Sequence, residues 1–135
     1  MFADPVADIA VLATPDGQVL YDEAEAYDEL TEGAPALGIV DAPEQGSGWL
    51  LTLDGRWASC AVQHFGGPLW ISDAAESIVG GMSGSPILNS DGVTIGVMCC
   101  SSGRSGERLD QHTESGPNPK LTDSLPGRLL RGLGR

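Results

Sequence analysis

Apolar and polar positions alternate through the middle of the chain, and turn residues interrupt the alternation at short intervals. Leu37-Gly38-Ile39-Val40 is a first short apolar run. Trp49, Leu51 and Leu53 then alternate with Leu50 and Thr52, the period of a half-buried strand. Asp54-Gly55 predicts a two-residue hairpin turn of the type that tolerates positive φ. Arg56 to Phe65 returns as the partner strand. Trp57, Ser59, Ala61 and Gln63 lie on one of its faces, and Ala58, Cys60, Val62 and His64 on the other. Gly66-Gly67-Pro68 turns the chain into Leu69-Trp70-Ile71. Ile87-Leu88 leads to the turn Asn89-Ser90-Asp91-Gly92, and Val93 to Cys100 reads as a long return strand. Short strands divided by turn signals predict a small barrel.

The flanks follow other patterns. Val6 to Ala13 is apolar except for Asp8, and its length and branched residues predict a strand buried on both faces. Pro15-Asp16-Gly17 is a turn signal. Tyr21 to Glu32 is acidic and has no sustained apolar stripe, so it reads as a solvated connector with room for one helical turn. Ser101 to Pro119 is rich in Gly, Ser, Asp and Pro and predicts a loop. Over residues 120–135, Leu125, Leu129, Leu130 and Leu133 form one stripe. Asp123 or Ser124 can cap a helix there, and Pro126 is tolerated in its first turn. Arg128, Arg131 and Arg135 fall toward the end that the helix dipole makes favourable for cations. A short helix docked on the barrel is preferred over one lying on a membrane.

Composition narrows the picture. A chain of 135 residues with 41% hydrophobic residues can bury one moderate core, and 19 Gly with 9 Pro suit an all-β protein rich in turns. The formal net charge is −12. Basic residues are absent before Arg56, and six of the seven lie from Arg104 onward. That balance argues against nucleic-acid and anionic-membrane partners, both of which need Lys and Arg to displace counterions. Three cysteines, with Cys99 and Cys100 adjacent, make neither a disulfide framework nor a metal-binding spacing. Free thiols suit a reducing compartment. No cofactor or metal is expected. Met1 to Pro5 has no basic head and no run reaches membrane-spanning length, so the chain as given reads as soluble and cytoplasmic, unless residues precede Met1.

The candidate chemistry lies in Ile78-Val79-Gly80-Gly81-Met82-Ser83-Gly84-Ser85-Pro86-Ile87-Leu88. A hydroxyl sits among glycines, which adopt positive φ and let a ligand approach the backbone closely. Successive amides in such a turn can converge on an anion. An acyl-transfer site needs a serine oxygen beside amides that receive the developing oxyanion. A plain Gly/Ser turn between strands is the competing reading. Gly81-Met82-Ser83-Gly84-Ser85-Pro86 resembles the nucleophile motif of trypsin-like (chymotrypsin-fold) serine peptidases. Asp4-Pro5-Val6-Ala7-Asp8-Ile9-Ala10-Val11-Leu12, with Asp8 75 residues before Ser83, resembles the segment that carries that family's His-orienting aspartate.

The resemblance implies a serine endopeptidase acting on polypeptides. Ser83 is then the nucleophile, the N–H groups of Gly81 and Ser83 form the oxyanion hole, and Asp8 is the orienting acid. Met98, Cys99, Cys100 and Ser101 would wall the specificity pocket, with a small-apolar preference. Residues 1–20 would be the last strands of a first barrel, 21–35 the inter-barrel connector, 36–119 the second barrel and 120–135 the terminal helix. Met82 stands where activated trypsins carry an acidic residue, as in bacterial relatives that need no activating cleavage. The family order is His, Asp, Ser, and no His precedes Asp8. His64 reads as a half-buried strand residue and His112 as a solvated one; neither is expected to be the base. A serine without a base is a weak nucleophile, so the chain is expected to be inactive or weakly active. A non-catalytic peptide-binding module, or a truncated remnant, is the alternative. A cysteine nucleophile at Cys99 or Cys100 has no supporting His/Asn setting. A barrel lacking its companion would bare an apolar face and self-associate.

Overall fold

The computed structural model describes residues 2–99 and 113–133. They divide into two compact units, Met1–Leu37 and Gly38–Arg135. In the first unit, β1 (Phe2–Asp4) and β2 (Ile9–Val11) pair antiparallel, with Phe2 opposite Val11 and Asp4 opposite Ile9. The long buried strand expected over Val6–Ala13 is therefore not formed. Its front half is the turn of this hairpin. Asp4 Oδ1 accepts the Val6 N–H at 2.9 Å and the Ala7 N–H at 3.2 Å. Pro5 fixes its own φ between them, so Asp4-Pro5 initiates a side-chain-closed turn before a strand can start. Val6 is 95% exposed, and Asp8 is exposed with φ of 52°.

The acidic connector is also more ordered than expected. α1 (Tyr21–Thr31) is an 11-residue helix in which only Ala24 is buried. Ala, Glu and Leu favour the helix intrinsically, and Asp22 and Glu23 complement the dipole in its first turn. The Thr31 hydroxyl donates back to the Tyr27 carbonyl at 2.9 Å, and Gly33 leaves the helix with φ of 75°. The missing apolar stripe reflects a helix that meets little but solvent.

The second unit is an antiparallel sheet curled into a half-barrel. Its strands are β3 (Gln45–Leu51), β4 (Trp57–Gln63), β5 (Leu69–Ser72), β6 (Pro86–Asn89), β7 (Thr94–Val97) and β8 (Ser115–Asn118), in the order β7-β6-β3-β4-β5-β8. Alternation is obeyed as read: Ala58, Cys60 and Val62 point inward, while Trp57, Ser59 and Gln63 are exposed. Leu50, Cys60, Val62, Leu69, Ile71, Ile87 and Ile95 fill the interior, joined by Ala74, Ile78, Met82 and Met98 from the connections.

Two hairpins share one loop design. Thr52 N–H bonds to Arg56 C=O at 2.9 Å, and Asn89 N–H to Val93 C=O at 2.9 Å. Each pair encloses three residues ending in Asp-Gly, with Gly55 at φ 78° and Gly92 at φ 77°. Asp54-Gly55 is thus the end of a three-residue loop, not a two-residue turn, because the left-handed glycine closes a bulged hairpin. Side chains reinforce both loops. Asn89 Oδ1 accepts the N–H of Asp91 and of Val93. The Thr52 hydroxyl and Arg56 hold the Asp54 carboxyl below its usual range.

β8 is a strand where a loop was expected. Ser-Gly-Pro-Asn has little strand propensity, and tertiary pairing supplies what the sequence lacks. Leu69 faces Asn118 and Ile71 faces Ser115, with an irregularity between the two pairs. The Trp70 ring lies directly on Gly116, where a Cβ would come within 2.5 Å of it. The two ends of the curled sheet then meet. Gly96 on β7 bridges Lys120 just past β8, and the Val97 N–H reaches the Pro119 carbonyl at 3.4 Å. A Cβ on Gly96 would lie 2.8 Å from that carbonyl and 2.9 Å from Leu69 Cδ2.

The terminal helix is two pieces, α2 (Leu121–Ser124) and α3 (Gly127–Leu133). Leu125 is extended, at φ −95° and ψ 138°, because the residue before a proline is driven out of the helical region. Pro126 therefore restarts the helix instead of continuing it, its carbonyl accepting the Leu129 N–H at 2.8 Å. Leu121 and Leu125 are buried and Leu129 and Leu130 half-buried. Among the described residues, no helix is long and apolar enough to cross a membrane.

Two expectations follow. Gly96→Ala forces apart the seam between β7 and β8, and urea denaturation should show a loss of about 1–3 kcal/mol. Burial pushes the Cys60 thiol from 9.0 up to about 11. A raised folded value means the associated stability is full below the unfolded value and falls as pH rises through the folded one. Denaturation midpoints should fall between about pH 9 and about pH 11, and Cys60→Ala should flatten that fall.

Candidate functional site

The loop between residues 78 and 86 is built around one buried side chain. Met82 is 2% exposed and belongs to the core. Its sulfur accepts the Val79 N–H at 3.3 Å, and its own N–H bonds to the Val79 carbonyl at 3.4 Å. With Met82 drawn inward, its neighbour Ser83 is displayed to solvent. Gly81 at φ 97° and Gly84 at φ 86° make the two reversals on either side, a conformation that side chains disfavour.

The far half of the loop is tied to the chain leaving β7. Gly84 N–H donates to Met98 C=O at 2.7 Å, and Met98 N–H donates to Ser85 C=O at 2.9 Å. The Ser83 hydroxyl donates to the Cys99 carbonyl at 2.9 Å. The Cys99 N–H donates in turn to Asn118 Oδ1 at 3.0 Å, and Asn118 is fully buried. Among the described residues, no carbonyl or side chain accepts from the N–H of Gly81 or of Ser83. Leu53, from the β3–β4 hairpin, lies against Gly81 and leaves an apolar wall 61% exposed beside the loop.

The other residues singled out in the sequence are placed as follows. Asp8 belongs to the first unit and is exposed on the β1–β2 turn, not buried within a strand as expected, because Asp4-Pro5 closes that turn. Met98 is a core residue, 4% exposed, and both of its backbone groups are taken by the serine loop. Cys99 is half-buried. Cys100, Ser101 and His112 lie outside the described residues. His64 sits just past β4, half-buried, with both ring nitrogens engaged. Nδ1 accepts the Gly66 N–H at 3.3 Å, and Nε2 meets the Ala42 carbonyl at 3.0 Å. These partners fit the neutral ring with its proton on Nε2. They make His64 a clasp between residues 42 and 66.

Sequence reasoning missed Asn118 and Leu53. Asn118 falls in a segment whose composition predicts a loop, and Leu53 reads only as one position of an alternating strand. Among the described residues, no three His, Cys, Asp or Glu side chains converge on a point that would hold a metal. Chemically the arrangement offers an exposed hydroxyl, two amides open to an acceptor and an apolar neighbour. No ionisable side chain among the described residues hydrogen-bonds the hydroxyl.

The loop's dependence on left-handed backbone is directly measurable. Gly84→Ala should lower stability by about 1–3 kcal/mol through strain at φ 86°. Gly80→Ala, two residues before Met82 in open space and without positive φ, should be close to neutral in the same denaturation assay.

Comparison with protein-family models, with curated proteins and with solved structures gave no match.

Proposed function

We propose that this chain carries the nucleophile-bearing part of a trypsin-like serine endopeptidase site. Ser83 would attack a peptide carbonyl, and the N–H groups of Gly81 and Ser83 would receive the oxyanion. One observation supports this reading above the others. Ser83 stands exposed between two left-handed glycines, beside amides that no described group uses. The curled antiparallel sheet, followed by a terminal helix, suits the second barrel of that fold. The loop is held at several points. A buried sulfur, two backbone bonds to Met98 and a hydroxyl bond to Cys99 all hold it.

The hydroxyl proton goes to a carbonyl, which cannot remove it. An imidazole would be needed to make the oxygen a strong nucleophile. His64 is engaged elsewhere, and Asp8 has an orienting role only if a histidine is brought to it. The reading therefore rests on Ser83 and assigns the chain weak activity of its own. The hydroxyl-to-carbonyl bond favours the second reading, a module that holds an extended polypeptide without cleaving it. Self-association belongs to either reading. Trp49, Leu51 and Trp57 share the outward face of β3 and β4, with Leu51 directly opposite Trp57. A chain with this apolar surface should scatter light as more than a monomer at high concentration.

A fluorophosphonate probe separates the readings. The native chain should be labelled at Ser83 faster than the urea-unfolded chain, and Ser83→Ala should lose the label. Turnover of peptides should stay within the range an oxyanion hole alone provides, ~10³-fold over water. Equal labelling of native and unfolded chain would remove the peptidase reading, and peptide binding without labelling would establish the module.

A further inference from the structure

We infer that Asn118 is a positioning residue for Ser83, acting through the Met98–Cys99 peptide. Asn118 ends β8, is fully buried and stands opposite Leu69 of β5. Its Oδ1 accepts the Cys99 N–H at 3.0 Å. The carbonyl of the same residue, Cys99, takes the Ser83 hydroxyl at 2.9 Å. One residue earlier, Met98 exchanges backbone bonds with Gly84 and Ser85. Residues 98 and 99 are therefore held from two sides, by the serine loop and by a strand at the opposite end of the sheet order.

A side-chain amide suits this task. Residue 99 lies past the end of β7, beyond the reach of the sheet's own ladder. The Asn118 side chain brings an acceptor to the backbone donor there. Asn118 supplies the acceptor without a charge, from a buried position where charge is expensive. The Cys99 N–H lies in one peptide plane with the Met98 carbonyl, so holding it holds that carbonyl, which accepts the Gly84 N–H at 2.7 Å next to Ser83. The seam that joins the ends of the sheet, at Gly96 and Lys120, brackets this contact. Serine placement is thereby linked to closure of the half-barrel. The hold follows from these bonds alone; that the hydroxyl so held is a nucleophile rests on the function proposed above.

Amide hydrogen exchange on the unaltered chain tests the hold first. The Cys99 N–H should be protected to about the degree of β6 and β7 amides; exchange at the rate of an exposed loop amide overturns the inference. Asn118→Leu keeps the branched heavy-atom shape and removes the acceptor. It should raise exchange at Gly84 and Met98, whose N–H groups bond elsewhere, by about tenfold, while Leu50 and Val62 stay protected. Unchanged exchange at Gly84 and Met98 in a folded Asn118→Leu chain also overturns it. Asn118→Asp, assayed at acidic pH where its carboxyl is neutral, keeps an oxygen acceptor without a charge and should restore the native pattern, and it decides the matter with the unaltered chain if the leucine variant does not fold. Fluorophosphonate labelling of Ser83 should fall with Asn118→Leu and recover with Asn118→Asp. Absence of labelling in the unaltered chain would sink the function, while exchange would still decide the hold.

Discussion

The pair of hydrogen bonds between residue 98 and the serine loop is the constraint on which the candidate site depends. Gly84 N–H to Met98 C=O, at 2.7 Å, and Met98 N–H to Ser85 C=O, at 2.9 Å, extend the β6–β7 ladder one step beyond the strands. Met82 and Met98 both sink into the same core cluster. The loop is thus anchored by apolar burial below and by main-chain pairing at its side. With those two anchors in place, a glycine before and a glycine after the serine turn its hydroxyl outward. Buried apolar area supplies most of the stabilisation, and the hydrogen bonds decide which of many compact loop conformations is adopted.

Much of the second unit was legible from period and turn chemistry. The sorting of β4 into two faces follows from alternation alone, and burial shows that the face of Ala58, Cys60 and Val62 is the inward one. Both Asp-Gly hairpins were visible as turns, though not their three-residue length, since that depends on which backbone pair closes the loop. The errors have common causes. Asp4-Pro5 outweighed the apolar run behind it, because a proline and a capping carboxylate act locally and an apolar pattern does not. α1 formed without an amphipathic stripe because Ala and Glu propensities sufficed. Pro126 broke a helix whose leucine spacing looked continuous, through its effect on Leu125.

The candidate site was legible in a narrower sense. Ser83 and its glycines could be picked out as a loop built for display, and the loop does display the hydroxyl. What local pattern could not give is the company that the hydroxyl keeps. Cys99 and Asn118 lie 16 and 35 residues further along the chain. They reach Ser83 because β7 returns beside β6 and because β8 pairs with β5, which is a property of topology. Asn118 in particular sits in Ser-Gly-Pro-Asn-Pro, a string that reads as loop from either end. A polar residue in such a string becomes a buried acceptor only once Trp70 covers Gly116 and the strand is pressed into the sheet.

The seam has an implication for how such a unit can change over time. Its two sides, Gly96 and Lys120, lie at the end of β7 and just past β8, strands that are 17 residues apart in the chain. The bonds of the seam described above join residues 96 and 97 to residues 119 and 120. The entropy of closing a loop rises only with the logarithm of its length, about 0.6 kcal/mol for each doubling. A change in the number of residues between the two strands therefore costs the seam little, and the hydroxyl with its supports on residues 98, 99 and 118 can be kept while that number drifts.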